Sequence, residues 1–310
     1  MYHDLRQFYN QIIYPELLNM ERRRRQLVRM MLLCGLATVG AAVLAIIVNE
    51  FVFTLLLVLP VGFWVAHLVF RTQLFFQEFK PRIMGLLLDF IDNDVNYSEL
   101  SYKASGKIPK QRFLESKIFT RADDYSGEDL ITGKVRETEF LLSEVRAAEF
   151  SPVRSQLDRV FNGIFIIGDY HNLNMKGSLL VLPDEYMKYL ARTERAFHLH
   201  GGRRVHGQAL PEFETWFNTY ATPDMRIKDV LSEDFQREIL RFRQHYQEAN
   251  RKREMYFSII GDNIYIAVQQ DRDLLEPSIF RNNVDFGMIR EFHDDVTTLL
   301  RLILKIDALN

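Results

Sequence analysis

Two stretches of the chain contain no Asp, Glu, Lys or Arg: Met30 to Asn49 and Phe51 to Phe70, twenty residues each, separated only by Glu50. Twenty apolar residues are what a helix needs to cross the hydrocarbon core of a bilayer, and neither run puts a costly charge at its centre. A core helix of a water-soluble protein keeps a polar stripe, which both runs lack. A cleaved signal sequence has a shorter apolar core, of about 7–15 residues, and does not follow a charged leader of this length. The pattern therefore predicts a transmembrane helical hairpin over 30–70, with helices at 30–49 and 51–70 and a tight turn at Asn49-Glu50.

The remaining pattern is that of a folded chain. In residues 1–29, Leu5, Phe8, Tyr9, Ile12, Ile13, Leu17 and Leu18 recur at helical spacing, which predicts an amphipathic helix kinked at Pro15. Its stripe suits either docking on the domain that follows or lying in the membrane interface, and docking is favoured. Residues 71–110 read as membrane-proximal helices, with a break at Pro81 and a helix over Ile83–Asp92, and then a polar linker from Asn93 to Lys110. Residues 111–310 read as an α+β domain with a mainly antiparallel sheet and flanking helices. Strands are predicted at Leu114–Thr120, Val135–Phe150, Val160–Tyr170, Gly177–Leu182, Arg203–Leu210, Phe217–Ala221, Met255–Ile260 and Asn263–Val268. Asp123–Asp129 and Thr132-Gly133-Lys134 read as turns, Asn172–Lys176 as a hairpin or short connection, and Gly261-Asp262 as a hairpin turn. Helices are predicted from Pro183-Asp184 to Arg192, from Ser232 to about Asn250, and over Met288–Leu309.

Composition adds little until it is divided by segment. The chain is 47% hydrophobic and 26% charged with a net charge of −2, and its mean hydropathy is −0.13; the averages resemble a water-soluble protein. Residues 1–82, however, hold nine Lys and Arg against five Asp and Glu, net +4, and residues 83–310 hold thirty against thirty-six, net −6. The basic residues flank the spans. Arg22, Arg23, Arg24, Arg25 and Arg29 precede the first, Arg71, Lys80 and Arg82 follow the second, and the turn has none. The positive-inside rule then puts both termini in the cytoplasm. Gly35, Gly40, Ala37, Ala41 and Ala42 form a small-residue face suited to close helix contact, and Pro60 and Gly62 suit a bend. The balanced charge argues against a nucleic-acid partner, and one cysteine, Cys34, excludes an intramolecular disulfide framework.

The search for chemistry returns little. No phosphate loop, GxGxxG, GxSxG or HExxH is present, so no catalytic residue and no cofactor is assigned. His198, His200 and His206, around Gly201-Gly202, are weak metal candidates without a nearby carboxylate or thiol at ligand spacing. The acidic run Asp123–Asp129 lacks the alternating ligand spacing of a calcium loop. Phe213, Trp216, Phe217 and Tyr220 are candidate partner-binding aromatics, with core packing as the alternative.

Several stretches in order resemble a bacterial membrane-protein family, domain-of-unknown-function family 3137. They are Asp124–Asp129 with Gly133-Lys134-Val135 and Phe140–Val145; Phe161–Ile166 through Asp169, Gly177 and Val181-Leu182-Pro183; Phe213–Tyr220; and Phe257–Ile260, Val268 and Glu276-Pro277. The resemblance covers roughly residues 114–280, and the double span before it is also similar. This sequence departs from the pattern where Arg226 and Lys228 follow Asp224. The resemblance implies a membrane-anchored bacterial protein without an assigned reaction, and carries over no catalytic residues. Taken together, the sequence predicts a two-span protein of the bacterial inner membrane. Its partners are the lipid bilayer and another membrane or cytoplasmic protein, or a second copy of itself. Its leading role is a non-enzymatic scaffold or interaction module, and the alternative is an enzyme or sensor whose pocket gathers Asp169, His171, His198 and His200.

Overall fold

The computed structural model describes residues 2–48, 51–170, 176–184, 188–248, 254–270 and 275–307. Helices α1 (Tyr2–Phe8), α2 (Tyr14–Val48) and α3 (Phe51–Asp92) come first, with a π-helical turn at Tyr9–Ile13. Then come β1 (Tyr97–Lys103), α4 (Lys110–Glu115), β2 (Asp124–Val135), β3 (Thr138–Ser151), β4 (Gln156–Asp169) and β5 (Ser178–Pro183). The last third holds α5 (Lys188–Leu199), β6 (Arg203–Val205), α6 (Pro211–Trp216), β7 (Phe217–Ala221), α7 (Ile227–Val230) and α8 (Glu233–Glu248), followed by β8 (Met255–Ile260), β9 (Asn263–Gln269) and α9 (Phe286–Asp307). The chain divides into two compact units, 1–90 with 275–292 and 91–274 with 293–310.

The first unit is helical. Pro15 does not break its helix: the chain widens into the π turn just ahead of it, with the Tyr14 amide donating to the Tyr9 carbonyl, and resumes as α2. The wide turn relieves the clash a proline ring makes with the carbonyl one turn before it. Pro81 likewise sits inside α3, so the predicted break there is corrected to one continuous helix. The N-terminal stripe is covered within its own unit. Leu5, Tyr9, Ile13 and Leu17 are buried, and ring contacts join Phe8 to Phe90 at 4.8 Å and Tyr9 to Phe286 at 5.1 Å. On the small-residue face predicted for the first apolar run, a Cβ added at Gly35 or Gly40 would meet nothing within 4 Å. The turn at Asn49-Glu50 lies outside the described residues.

The second unit is built on one nine-stranded sheet in the order β1-β2-β3-β4-β9-β8-β5-β7-β6, antiparallel at every pairing. With the two apolar helices before it, this is the expected α+β architecture. Alternation along the strands serves two apolar faces. On one face, Val145, Ala147, Phe161 and Phe165 pack with Phe113, Phe119, Leu190 and Phe197, and Phe113 stacks on Phe119 at 4.6 Å. On the other lies the later part of α9, tied to β4 by the Tyr170 hydroxyl donating to the Ile303 carbonyl at 2.5 Å.

Several local expectations are corrected. The Asn93–Lys110 linker contains β1, an edge strand paired with β2. Leu114–Thr120 is not a strand: Leu114 ends in α4, and Phe113, Ile118 and Phe119 enter the core as a helix followed by a loop. The acidic run Asp123–Asp129 belongs mostly to β2. A bulge after Glu128 puts Asp129 at φ 59° and buries its carboxylate against the Tyr102 hydroxyl at 2.5 Å. Thr132-Gly133-Lys134 lies within β2, close to its C-terminal end, where a Cβ at Gly133 would stand 2.5 Å from the Leu100 side chain on β1; the glycine serves strand packing, and the turn falls after Val135. β4 and β5 are not a hairpin, because β9 and β8 lie between them, and most of the predicted connection, 171–175, lies outside the described residues. The strand expected over Arg203–Leu210 is limited to β6, and Pro211–Trp216 is a short helix. The Gly261-Asp262 turn holds as a two-residue loop pairing Ile260 with Asn263, and Ser232 accepts the Phe235 amide as the cap of α8. The starts or ends expected near Asp184, Asn250 and Leu309 lie at or beyond residues outside the described set.

Candidate functional site

Two helices are long and apolar enough to cross a membrane, Asp4–Val48 and Val58–Asp92, and only 6% and 11% of their most apolar windows is buried inside the structure. Leu32, Leu36, Ile46, Ile47 and Phe63 are largely exposed along them. Large side chains in such a row cannot remain in water without cost, at about 25 cal/mol per Å² of apolar surface. A contiguous exposed stripe of this kind marks a membrane or protein contact.

At the basic end of these helices, within the first unit, the arginines divide by environment. Arg24 is buried and makes two bonds to Glu21, Nε to Oε2 at 2.7 Å and Nη2 to Oε1 at 2.8 Å. Its Nη1 also donates to the Ile279 carbonyl at 2.6 Å. Arg25 adds a third contact to Glu21 at 2.9 Å, and Arg23 pairs with Glu78 at 2.9 Å on the surface. Lys80 bonds Glu276 at 2.9 Å and Arg82 bonds Glu16 at 3.0 Å. Arg22, Arg29 and Arg71 are exposed. Arg23 and Arg71 line a cavity of about 330 Å³ between α2 and α3, with Met30, Leu74 and Phe75 on its walls. Sequence reading missed the buried pair; the signal available was Glu21 three and four residues before two arginines, the spacing of helical ion pairs.

In the sheet unit a cleft of about 490 Å³ lies at the end of β1–β4. Its register is what assembles it. Lys134, Glu139 and Asp169 stand abreast on three neighbouring strands, Glu99 joins from β1, and Arg112 reaches in from α4. Leu141 and Ile167 form an apolar wall. Lys134 is bonded to Glu99 at 2.8 Å, which holds its ammonium in the charged form and its pKa above the usual lysine value. Arg112 donates to the Asn263 side chain at 3.0 Å. Two carboxylates side by side with a guanidinium opposite can take up a small polar or zwitterionic molecule. No spacing in the sequence announces this cleft, since its residues come together only through strand register.

A second surface lies on the β3–β4 hairpin, whose fourteen-residue strands pair with each other beyond the ends of β2 and β9. Phe150 and Leu157 face each other across the pair, and with Val153 in the turn they are exposed. An open depression of about 600 Å³ beside them is lined by Asp124, Arg146, Leu157 and Arg159.

The residues singled out from sequence are dispersed. Phe213, Phe217 and Tyr220 are buried, and the Tyr220 hydroxyl donates to Glu194 at 2.7 Å. Burial, and then that bond to a carboxylate, push its pKa up. Trp216 is part-exposed beneath the Arg243 guanidinium, 3.9 Å from the ring centroid. His198 is in the last turn of α5 with Nδ1 2.6 Å from the Gly202 carbonyl, while His200 is in the following turn and His206 in a loop after β6. They do not share a strand, and among the described residues no group of three or more His, Cys, Asp or Glu is placed to hold a metal. Asp169 ends β4, whereas His198 meets the ring of Tyr220 on β7 edge-on, 5.9 Å between centroids. The two strands are four positions apart in the sheet, about 19 Å at ordinary strand spacing. Asp169 and the histidines are therefore not brought together, and His171 lies outside the described residues.

No curated protein and no solved structure matches this chain. A family model does match, over residues 159–308, from β4 through α9. The match includes the Phe161–Ile166, Phe213–Tyr220 and Phe257–Ile260 stretches and runs on through the last helix, while the Asp124–Val145 block lies before it. Residues 159–308 are thus shown to match the family described as Protein of unknown function (DUF3137).

Proposed function

We propose that this is a membrane-anchored interaction protein of the bacterial inner membrane. In this reading the two apolar helices hold it in the bilayer, both termini are cytoplasmic, and the sheet unit binds another protein. The observation that carries the reading is the coexistence of two exposed apolar helices with an apolar hairpin tip, Phe150, Val153 and Leu157, on a folded sheet. Exposed apolar side chains with arginines beside them, here Arg146 and Arg159, have the composition of interface centres.

The test compares cross-linked complexes captured from membranes by the full chain and by a Phe150→Ser/Leu157→Ser variant. A partner retained by the wild type and lost with the variant is the expected result; equal capture by both removes the hairpin from the reading. Orientation is checked by a reporter fused after Asn310, expected to be active only in the cytoplasm.

The charged cleft between β1 and α4 supports a second reading, a sensor or enzyme for a small polar molecule. Native mass spectrometry of the purified full chain is its test, with a co-purifying small molecule lost on Arg112→Gln as the expected outcome.

A further inference from the structure

The segment between β9 and α9 contains one large side chain out of place. In the first unit, Leu275, Pro277 and Ile279 are buried, yet Phe280 between Ile279 and Arg281 is 80% exposed. The loop that presents it is built on both sides. The Ser278 amide donates to Asn283 Oδ1 at 2.8 Å, and Asn283 Nδ2 returns a bond to the Ser278 carbonyl at 2.9 Å. The Arg281 amide donates to Ser278 Oγ at 3.2 Å, and the buried Arg24 guanidinium holds the Ile279 carbonyl. A loop closed this way points its tip in one direction, and Phe280 is at that tip.

What sets it apart from other exposed apolar side chains is its surroundings. Phe280 and Ile279 line a groove of about 520 Å³ with Met31, Cys34, Gly35 and Thr38 of α2 and Leu68 and Phe76 of α3. Met31 to Thr38 lies in the charge-free run. Arg24, the loop's anchor, precedes Met31 by seven residues, about 10 Å of helix. The anchor is thus at the charged end and the phenylalanine is against the first turns of the span, with exposed Arg281 next to it. An aromatic ring on the apolar side of a cationic flank is the arrangement of a side chain seated at the headgroup–acyl boundary.

We propose that the Ser278–Asn283 loop is a third membrane contact, with Phe280 inserted among the acyl chains of the leaflet that faces Arg22–Arg25 and Arg281 at the headgroups. This rests on the reading of the two apolar helices as membrane spans. The partner surface is lipid, because the groove continues the apolar surface of the spans themselves. The loop acts as a clamp: Arg24 grips it from inside and the bilayer grips its tip.

The test uses the full chain in vesicles of phosphatidylethanolamine and phosphatidylglycerol, in a Cys34→Ala background. An environment-sensitive fluorophore is placed at Phe280→Cys or, as a reference deep in the first span, at Leu44→Cys. Emission from position 280 is expected to be blue-shifted, shielded from aqueous iodide, and quenched more by lipid nitroxides near the headgroup than near the chain end. Position 44 should show the opposite depth order. A label at 280 that iodide reaches, with position 44 quenched by lipid, overturns the insertion and leaves the spans intact. Failure of lipid quenching at both positions overturns the membrane reading and this proposal with it. Self-quenching at 280 that rises with protein-to-lipid ratio, without lipid quenching, shows that a second copy covers the ring and also overturns the proposal.

Discussion

Replacing Arg24 with methionine tests the architecture of the helical unit most directly. The Glu21 side chain is 4% exposed and that of Arg24 10%, so the pair is largely withdrawn from water. Removing one partner of such a pair leaves an uncompensated buried charge, at a cost of about 3–5 kcal/mol. Two features set the position in that range. Arg25 still reaches Glu21 at 2.9 Å from a mostly exposed position, which favours the low end. The Ile279 carbonyl loses its charged donor, worth about 1.5–3 kcal/mol, and that loss falls on the 275–283 loop. A local cost near 3 kcal/mol corresponds to about a hundredfold rise in the open population. Hydrogen exchange of the full chain in detergent micelles, read on peptides covering 275–285, should therefore accelerate about a hundredfold in Arg24→Met where exchange tracks local opening. Arg23→Met is the control, because its pair with Glu78 is 68% and 62% exposed and such pairs are worth at most about 1 kcal/mol. The double variant Glu21→Met/Arg24→Met should recover thermal stability, since a well-packed apolar pair often replaces a buried ion pair without loss, but should not restore protection of the loop. Exchange in Arg24→Met no faster than in Arg23→Met would refute the reasoning.

Three further outcomes follow from the sheet unit. Gly163→Ala should destabilise it by about 1–3 kcal/mol, read as a lower midpoint in denaturant, because a Cβ there would stand 2.1 Å from the Val268 carbonyl oxygen on β9. Tyr220→Phe should cost about 1.5–3 kcal/mol in the same assay by removing the hydroxyl from Glu194, while circular dichroism stays unchanged. Asp123 accepts the Phe150 amide and then the Arg121 guanidinium, which hold its carboxyl below the usual aspartate value. Because the folded form has the lower pKa, its stabilisation is complete above about pH 4 and is lost as pH falls through the folded value. Asp123→Asn should flatten the acid limb of the stability–pH curve, and an unchanged slope would count against this account.

What could be read from the sequence depended on whether the pattern was local. Charge-free runs are local, and both apolar helices appear where the runs predict them. Alternation and the Gly261-Asp262 turn are local too: the strand predicted over Val135–Phe150 is present from Thr138, Val135 itself closing β2 before the turn, and Gly261-Asp262 is a two-residue loop. Pro81 misled because a proline forbids one hydrogen bond but does not specify what the chain does next: α3 simply continues, whereas at Pro15 the regular helix is interrupted by the π turn at Tyr9–Ile13. The acidic run Asp123–Asp129 misled for a different reason. Its strand is fixed by partners far away in sequence, Ala148 opposite Asp124 and Tyr102 over Asp129, and no window of residues around it contains them. The charged cleft was unreadable for the same cause, since Lys134, Glu139 and Asp169 become neighbours only after register is set. Leu114–Thr120 failed on a known ambiguity: a short apolar run fits a buried strand and a helix with its exit loop equally well.

The division among the arginines alters the argument for orientation. By count, eight basic residues flank the two charge-free runs, and the positive-inside rule weighs each alike. Five of them have acidic partners within the helical unit: Arg23, Arg24, Arg25, Lys80 and Arg82. A buried, paired guanidinium such as Arg24 is committed to the fold and offers little to a phosphate headgroup. Arg22, Arg29 and Arg71 are exposed, with no ion pair joining them among the described residues. Attraction to an anionic leaflet is about 1 kcal/mol per basic side chain near the surface, so in the proposed membrane setting these three would supply about 3 kcal/mol where a bare count of eight implies more than twice that. Arg29 and Arg71 also stand next to the two charge-free runs, at the points along α2 and α3 where the helices would enter the hydrocarbon. The proposed cytoplasmic orientation therefore rests chiefly on Arg22, Arg29 and Arg71, and the other basic residues hold the helical unit together.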